Sequence, residues 1–189
     1  MKTTKKGFTL IELIVVIAII GVLAAILIPS MLGYVRKSKI SSANSAASSV
    51  QKGFEAALTD ADAKGIKLTF EGWVTWNEDG KWAASTEKED LNSVAKAEEL
   101  LKSGVVNYFE KFTDCQGAAY IKKSSCPGVA VTTDGTYWGT APSGYVEAKD
   151  YKSGGDIEKL SDTSTAFDDV IKGRMADKDN GVEGIKADS

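Results

Sequence analysis

The chain contains no histidine, so few residues could do chemistry: a glutamate, Glu12, at the threshold of a long apolar run, two cysteines, Cys115 and Cys126, and four tryptophans. Without an imidazole, Ser-His-Asp and Cys-His nucleophilic systems are excluded and the commonest metal ligand is missing. The 26 acidic and 23 basic side chains leave a formal charge of -3 with no dense basic patch, which reads as a solvated surface and indicates no nucleic-acid partner. Asp177, Asp179, Asn180 and Glu183 in "DKDNGVE" do not keep the spacing of an EF-hand loop. Two thiols without a C-x-x-C spacing fall short of a zinc set. No metal, cofactor or enzymatic activity is assigned.

Glu12 asks for an explanation because of what surrounds it. Residues 13–35 carry no charge, and as a helix rising ~1.5 Å per residue they would cover roughly 34 Å, enough for a bilayer's hydrocarbon core. Lys2, Lys5 and Lys6 precede the run while Arg36, Lys37 and Lys39 follow it, so flanking charge gives only weak guidance on orientation. A secretory signal could be cut near Val22-Leu23-Ala24, yet the apolar run continues through Ile28, and a signal core does not normally hold a glutamate. A buried core helix is a poor description of a segment that is apolar all round. A plain single-pass anchor leaves the carboxylate unexplained: one toward the middle of a membrane costs ~2.5 kcal/mol or more, less near the interface, and implies a partner. No base within the run can pair with it.

The segment Gly7-Phe8-Thr9-Leu10-Ile11-Glu12, followed by the apolar run and Pro29, closely resembles the type IV pilin signature. The resemblance implies a leader, residues 1–7, removed by a prepilin peptidase that cuts between Gly7 and Phe8 on the cytoplasmic face, with N-methylation of the new terminus at Phe8. It implies that Glu12, fifth residue of the mature chain (12 minus 7), neutralises the amine of Phe8 on a neighbouring subunit. Pairing two charges that are each costly to bury rewards only the correct register. The implied function is that of a structural pilin: a single-pass precursor in the cytoplasmic membrane, head outside, polymerised by a pilus assembly platform into a helical homo-oligomer on the cell surface, serving adhesion or motility. Type II secretion pseudopilins share the signature and form the alternative.

Elementary energetics point the same way. Residues 13–28 include twelve Leu, Ile or Val, and at ~1.5 kcal/mol or more each, exposing them to water would cost roughly 20 kcal/mol. Such a helix must pass from lipid into contact with other helices. Pro29 removes a backbone donor and crowds the carbonyl of Ala25, so a kink is expected there, with Gly21 a second weak point.

Beyond residue 35, Ile40, Ala43, Ala47, Val50, Phe54, Ala57 and Ala61 recur at steps of three and four, predicting that the helix continues to about residue 63 with Gly65 as its stop. Residues 67–85 predict a hairpin turning at Asp79-Gly80. Thr86-x-x-Glu89 reads as a capping box for a helix that ends at Gly104. Strands are expected over residues 118–122, 129–133, 136–139 and 145–148, with Asp134-Gly135 a tight turn. The fold class is α+β, a pilin-like roll in which a long N-terminal helix packs its amphipathic half on a small antiparallel sheet. The organisation expected is 1–7 leader, 8–35 transmembrane and assembly helix, 36–64 amphipathic continuation, 65–149 globular head and 150–189 a polar, partly flexible tail with a short helix near residues 167–172.

Cys115 and Cys126 are expected to form a disulfide closing a short loop, contributing on the order of 2 to 3 kcal/mol in an oxidising exterior. Many related pilins close such a loop near the C-terminus, whereas here 63 residues (189 minus 126) follow the second cysteine. Trp73, Trp76, Trp82 and Trp138 admit two readings. They fill a small core, or they present flat faces to a surface polysaccharide, making the chain a membrane-anchored carbohydrate-binding module.

Overall fold

The computed structural model describes residues 7–66, 69–77, 81–86, 91–108, 114–151, 171–177, 181, 182 and 185. The chain divides into two compact units, residues 1–36 and 37–189, and helix α1, Leu10–Ala63, has residues in both.

In the first unit α1 is helical throughout, Gly21 and Pro29 included, and none of its described residues is buried. By length and composition this is a helix able to cross a membrane.

In the second unit the same helix becomes one-sided. All seven residues of the predicted stripe, Ile40 through Ala61, are buried. The helix stops as the glycine implies: Gly65 takes φ of 75°, its N–H donates to the Asp62 carbonyl (2.9 Å), and the Ile66 N–H donates to that of Ala61 (2.9 Å). This paired arrangement satisfies carbonyls that the helix end would otherwise orphan.

The sheet is antiparallel with strand order β2-β1-β3-β4-β5, formed by β1 Glu71–Trp76, β2 Trp82–Thr86, β3 Gln116–Lys122, β4 Ser125–Thr132 and β5 Trp138–Ala141. Alternation along each strand sorts side chains between two cores. Val74, Trp76, Ala119, Ile121, Val129 and Val131 join Val50, Phe54 and Leu58 of α1. Helix α2, Leu91–Tyr108, closes that core with Leu101 and Val105. Trp73, Ala118, Tyr120, Ala130 and Trp138 face the opposite way. They are covered by Val146 and Tyr151 and by the C-terminal Ile171, Met175, Ala176 and Ile185.

Several expectations are corrected. Gly104 lies inside α2, because a Cβ there would come within 2.6 Å of Ala57 Cβ; its bareness serves helix contact, not termination. Thr86 pairs with Gly72 as the last residue of β2, while Glu89 and the Asp79-Gly80 turn lie outside the described residues. Residues 145–148 form no strand; a 3₁₀ turn, Ala148–Asp150, lies there instead. The C-terminal region is no solvated tail where it is described, since five apolar residues beyond position 150 are buried. A helical turn, Gly173–Met175 (α3), stands there, and the start of the helix expected at 167–172 lies outside the described residues.

Glycine 139 shows how closely α1 and β5 approach. A Cβ there would lie 2.0 Å from the Ala43 carbonyl carbon and 2.1 Å from the Asn44 nitrogen, so a side chain would drive backbone into backbone. The second core is fastened by Arg174, whose guanidinium grips both carboxylate oxygens of Asp150 (2.8 and 3.0 Å) and donates to the Tyr145 carbonyl (3.0 Å). Burial works against the charge on Asp150, but Arg174, the Glu147 N–H and Lys149 outweigh it and hold the carboxyl below its usual range.

Gly139→Val is therefore expected to cost about 3 kcal/mol or more, read as lowered thermal stability by near-ultraviolet dichroism of the buried tryptophans. The Asp150 clamp contributes stability that is fully present above the ordinary carboxylate pKa and is lost as pH falls through the lower folded value. Wild-type stability should accordingly decline more steeply than that of Asp150→Asn below about pH 4.

Candidate functional site

Of the residues singled out by their chemistry, Gly7, Phe8 and Glu12 lie at the start of α1. Thr9 precedes the helix and Glu12 lies three residues on, and the two close on each other. The Thr9 N–H (2.8 Å) and its hydroxyl (2.7 Å) both reach Glu12 Oε2, while the Glu12 N–H is 3.3 Å from Thr9 Oγ1. This is a capping box, in which side chains satisfy backbone donors that the first helical turn leaves free. The carboxylate also sits where the helix dipole favours negative charge. The Thr-x-x-Glu pattern before an apolar run is the local sequence signal for this cap, and it makes Thr9 an added member of the site.

Phe8 adjoins this cap and is 80% exposed, and no described residue pairs its charge with Glu12. Behind the cap, Leu10, Ile11 and the Leu, Ile and Val residues up to Ile28 are all exposed. Gly7 stands just before Phe8, outside the helix. The arrangement thus presents a carboxylate fixed at a helix end, at the head of an apolar surface with nothing of its own unit buried against it.

The cysteines are not bonded. Neither belongs to a disulfide and both are buried, and the register explains why. Cys115 precedes Gln116, which stands opposite Thr132, whereas Cys126 follows Ser125, which stands opposite Lys122. About six rungs of ~3.3 Å separate them, roughly 20 Å, and a disulfide needs Cα atoms within about 7 Å. Ten intervening residues are short in sequence but are spent on the two arms of a hairpin. Burial pushes both thiols up, that of Cys126 further with the help of Glu55, which makes them inert side chains of the core.

The tryptophans form no glycan platform. Trp73, Trp76 and Trp138 are 3–4% exposed, and Trp82 packs on Trp76 (ring centroids 5.9 Å) and Phe54 (6.1 Å). Of the acidic group near the C-terminus, only Asp177 falls within the described residues, and among those no cluster of three His, Cys, Asp or Glu could hold a metal.

Comparison with known proteins bears on this same segment. A protein-family profile described as "Prokaryotic N-terminal methylation motif" matches residues 2–28. The chain is 46% identical over 77 residues to a type IV major fimbrial protein FimA of Dichelobacter nodosus, covering 41% of this chain and 48% of that one. A second FimA of that organism is 42% identical over 88 residues (46% and 55%). A protein named fimbrial protein, again from Dichelobacter nodosus, is 38% identical over 94 residues (49% and 59%). The chain thus spans about half the length of these relatives. No solved structure matches it.

Two thiols outside any disulfide predict that alkylation of the denatured, unreduced protein adds two adducts by mass, whereas a Cys115–Cys126 disulfide would block both. The methylation motif at residues 2–28, the similarity to fimbrial proteins over about half their length and the long apolar helix leading into an antiparallel sheet make the N-terminal region similar to that of type IV major fimbrial proteins.

Proposed function

We propose that this chain is a structural subunit that polymerises through its N-terminal helix into a type IV pilus. It enters the cytoplasmic membrane as a single-pass precursor with the leader inside and the head outside. The prepilin peptidase cuts between Gly7 and Phe8, and Phe8 is N-methylated. The observation that carries this reading is the joining of a capped carboxylate, Glu12, to an apolar helical surface on which no Leu, Ile or Val up to Ile28 is buried.

Cleavage after Gly7 would place a new ammonium one residue before Thr9, next to the helix cap. On the platform that extracts subunits from the membrane, an incoming helix whose Glu12 meets the Phe8 amine of a neighbour cancels two charges that lipid solvates badly. Apolar residues then exchange lipid for other helices at little net cost. Pro29 and Gly21 are the positions where α1 would yield to fit the packed filament, since Pro29 deprives the Ala25 carbonyl of its usual donor. Adhesion and motility belong to the filament, with no catalysis required of the subunit.

Mass spectrometry of protein sheared from the cell surface should find a chain beginning at methylated Phe8. The Glu12→Ala precursor should remain in the membrane while surface filaments fall by at least about tenfold, the scale of one lost charge-pairing step. Normal filaments from that variant, or a terminus near Ala25, would overturn the proposal.

A further inference from the structure

Lys37 opens the second unit, two residues past the end of the uncharged run. With that run across a bilayer, a rise of ~1.5 Å per residue puts Lys37 about 3 Å beyond the hydrocarbon, among the headgroups. The same lysine lines an open hollow of about 420 Å³, together with Ile40, Ser41 and Asn44 of α1 and with Glu147 and Lys149. The fold brings Lys149 to it across 112 residues of sequence (149 minus 37). Lys149 stands on the 3₁₀ turn Ala148–Asp150. That turn is fastened, since the Glu147 N–H donates to Asp150 Oδ2 (2.8 Å) and Arg174 grips the same carboxylate. The side chain is exposed, but its base is fixed.

The donors around the hollow are available. Lys37 is exposed and pairs with no carboxylate among the described residues. The hydroxyls of Ser45 and Ser49 donate back to carbonyls of α1 (both 3.0 Å), whereas that of Ser41 makes no such bond among the described residues. Asn44 accepts the Thr140 N–H on Oδ1 (2.8 Å), which orients the amide and leaves its NH₂ to donate. Glu147 is cancelled by Lys149, 2.6 Å away. Asp150 is paired with Arg174, and Asp134 with Lys39 at 3.5 Å. The cluster therefore keeps one uncancelled positive charge, that of Lys37.

We infer that this hollow takes the phosphodiester headgroup of an anionic phospholipid, such as phosphatidylglycerol, while the chain is anchored in the membrane. One net positive charge, a hydroxyl and an amide donor match a single phosphodiester, and the volume suits a small headgroup. Lysine stems lie along apolar surface while their ammonium groups reach the headgroups. A zwitterionic headgroup has no net charge for Lys37 to attract. The inference rests on the membrane-spanning reading of α1 and does not depend on the pairing of Glu12 with Phe8. It gives the head an attachment to the membrane that salt weakens, beside an apolar helix that salt does not.

The test reconstitutes the full chain in vesicles of equal phosphatidylglycerol and phosphatidylcholine, floats them, and weighs the chain with its retained lipid by native mass spectrometry. One phosphatidylglycerol should be retained per chain, with a preference over phosphatidylcholine of at least about tenfold. Lys37→Gln and Lys149→Gln should each lower that preference about fivefold, which is ~1 kcal/mol. Glu147→Gln, which releases Lys149, should raise it, and Lys52→Gln, at an exposed site further along α1, should leave it unchanged. Equal retention of the two lipids, an unchanged preference in both variants at Lys37 and Lys149, or a lowered one in Glu147→Gln would overturn the site. So would loss of the lipid to millimolar inorganic phosphate, which marks a plain anion hollow. A dimer of chains in place of bound lipid, abolished by the same two variants, would also overturn it and give the hollow to a second copy. A chain that does not float with the vesicles would overturn the membrane-spanning reading on which the site rests.

Discussion

A single helix, α1, carries two incompatible demands on burial, and the rest of the molecule is arranged around that division. Residues 40–61 obtain their burial from the chain itself, against the sheet and α2. Those before residue 36 obtain none. Apolar surface on that scale is tolerated only in lipid or against other helices. The first half is proposed to find its partner outside the subunit, with Glu12 the group proposed to distinguish one partner from another.

The second half shows how a helix can be held to a small sheet without charge. Close approach at Gly139 brings α1 backbone against β5, and Asn44 and Gln51 then convert proximity into hydrogen bonds to strand backbone. Asn44 on the Thr140 N–H, with the Tyr151 hydroxyl on the Trp138 N–H, occupies donors on the edge of β5, where free ones would invite pairing with other chains. That protection matters for a molecule that is proposed to assemble at high local concentration through its helix and not through its sheet. On the far side, the Asp150–Arg174 clamp ties the C-terminal residues over the second core, which gives the sheet two buried faces.

Much of this was legible in the sequence because it is local. The stripe from Ile40 to Ala61 is a periodicity, Gly65 a stop with a positive φ, and the hairpins follow from turn residues between β-prone runs. What escaped depends on distant partners. Gly104 resembles a helix terminator until Ala57 is seen against it, and the burial of Ile171, Met175 and Ile185 depends on the face of the sheet they cover. Cys115 and Cys126 were misjudged because separation along a chain says little once a hairpin sends its two arms apart. Glu12 was recognised through its cost in a membrane, while its bond to Thr9, a local pattern, went unread beside the larger puzzle.

Thr9 now gives that carboxylate a defined position in the unassembled chain, with both Thr9 donors on one oxygen. Assembly would add the ammonium of a neighbour to a group already aimed by its own helix end, a form of preorganisation that reduces the entropy of docking. A helical reconstruction of the filament, at a resolution that shows the side chains around Phe8, measures this most directly. The Phe8 nitrogen of one subunit is expected within about 4 Å of the Glu12 carboxylate of the next, the reach of an ion pair. A filament in which Glu12 contacts only its own Thr9, with no amine beside it, would rule out that pairing as the basis of assembly.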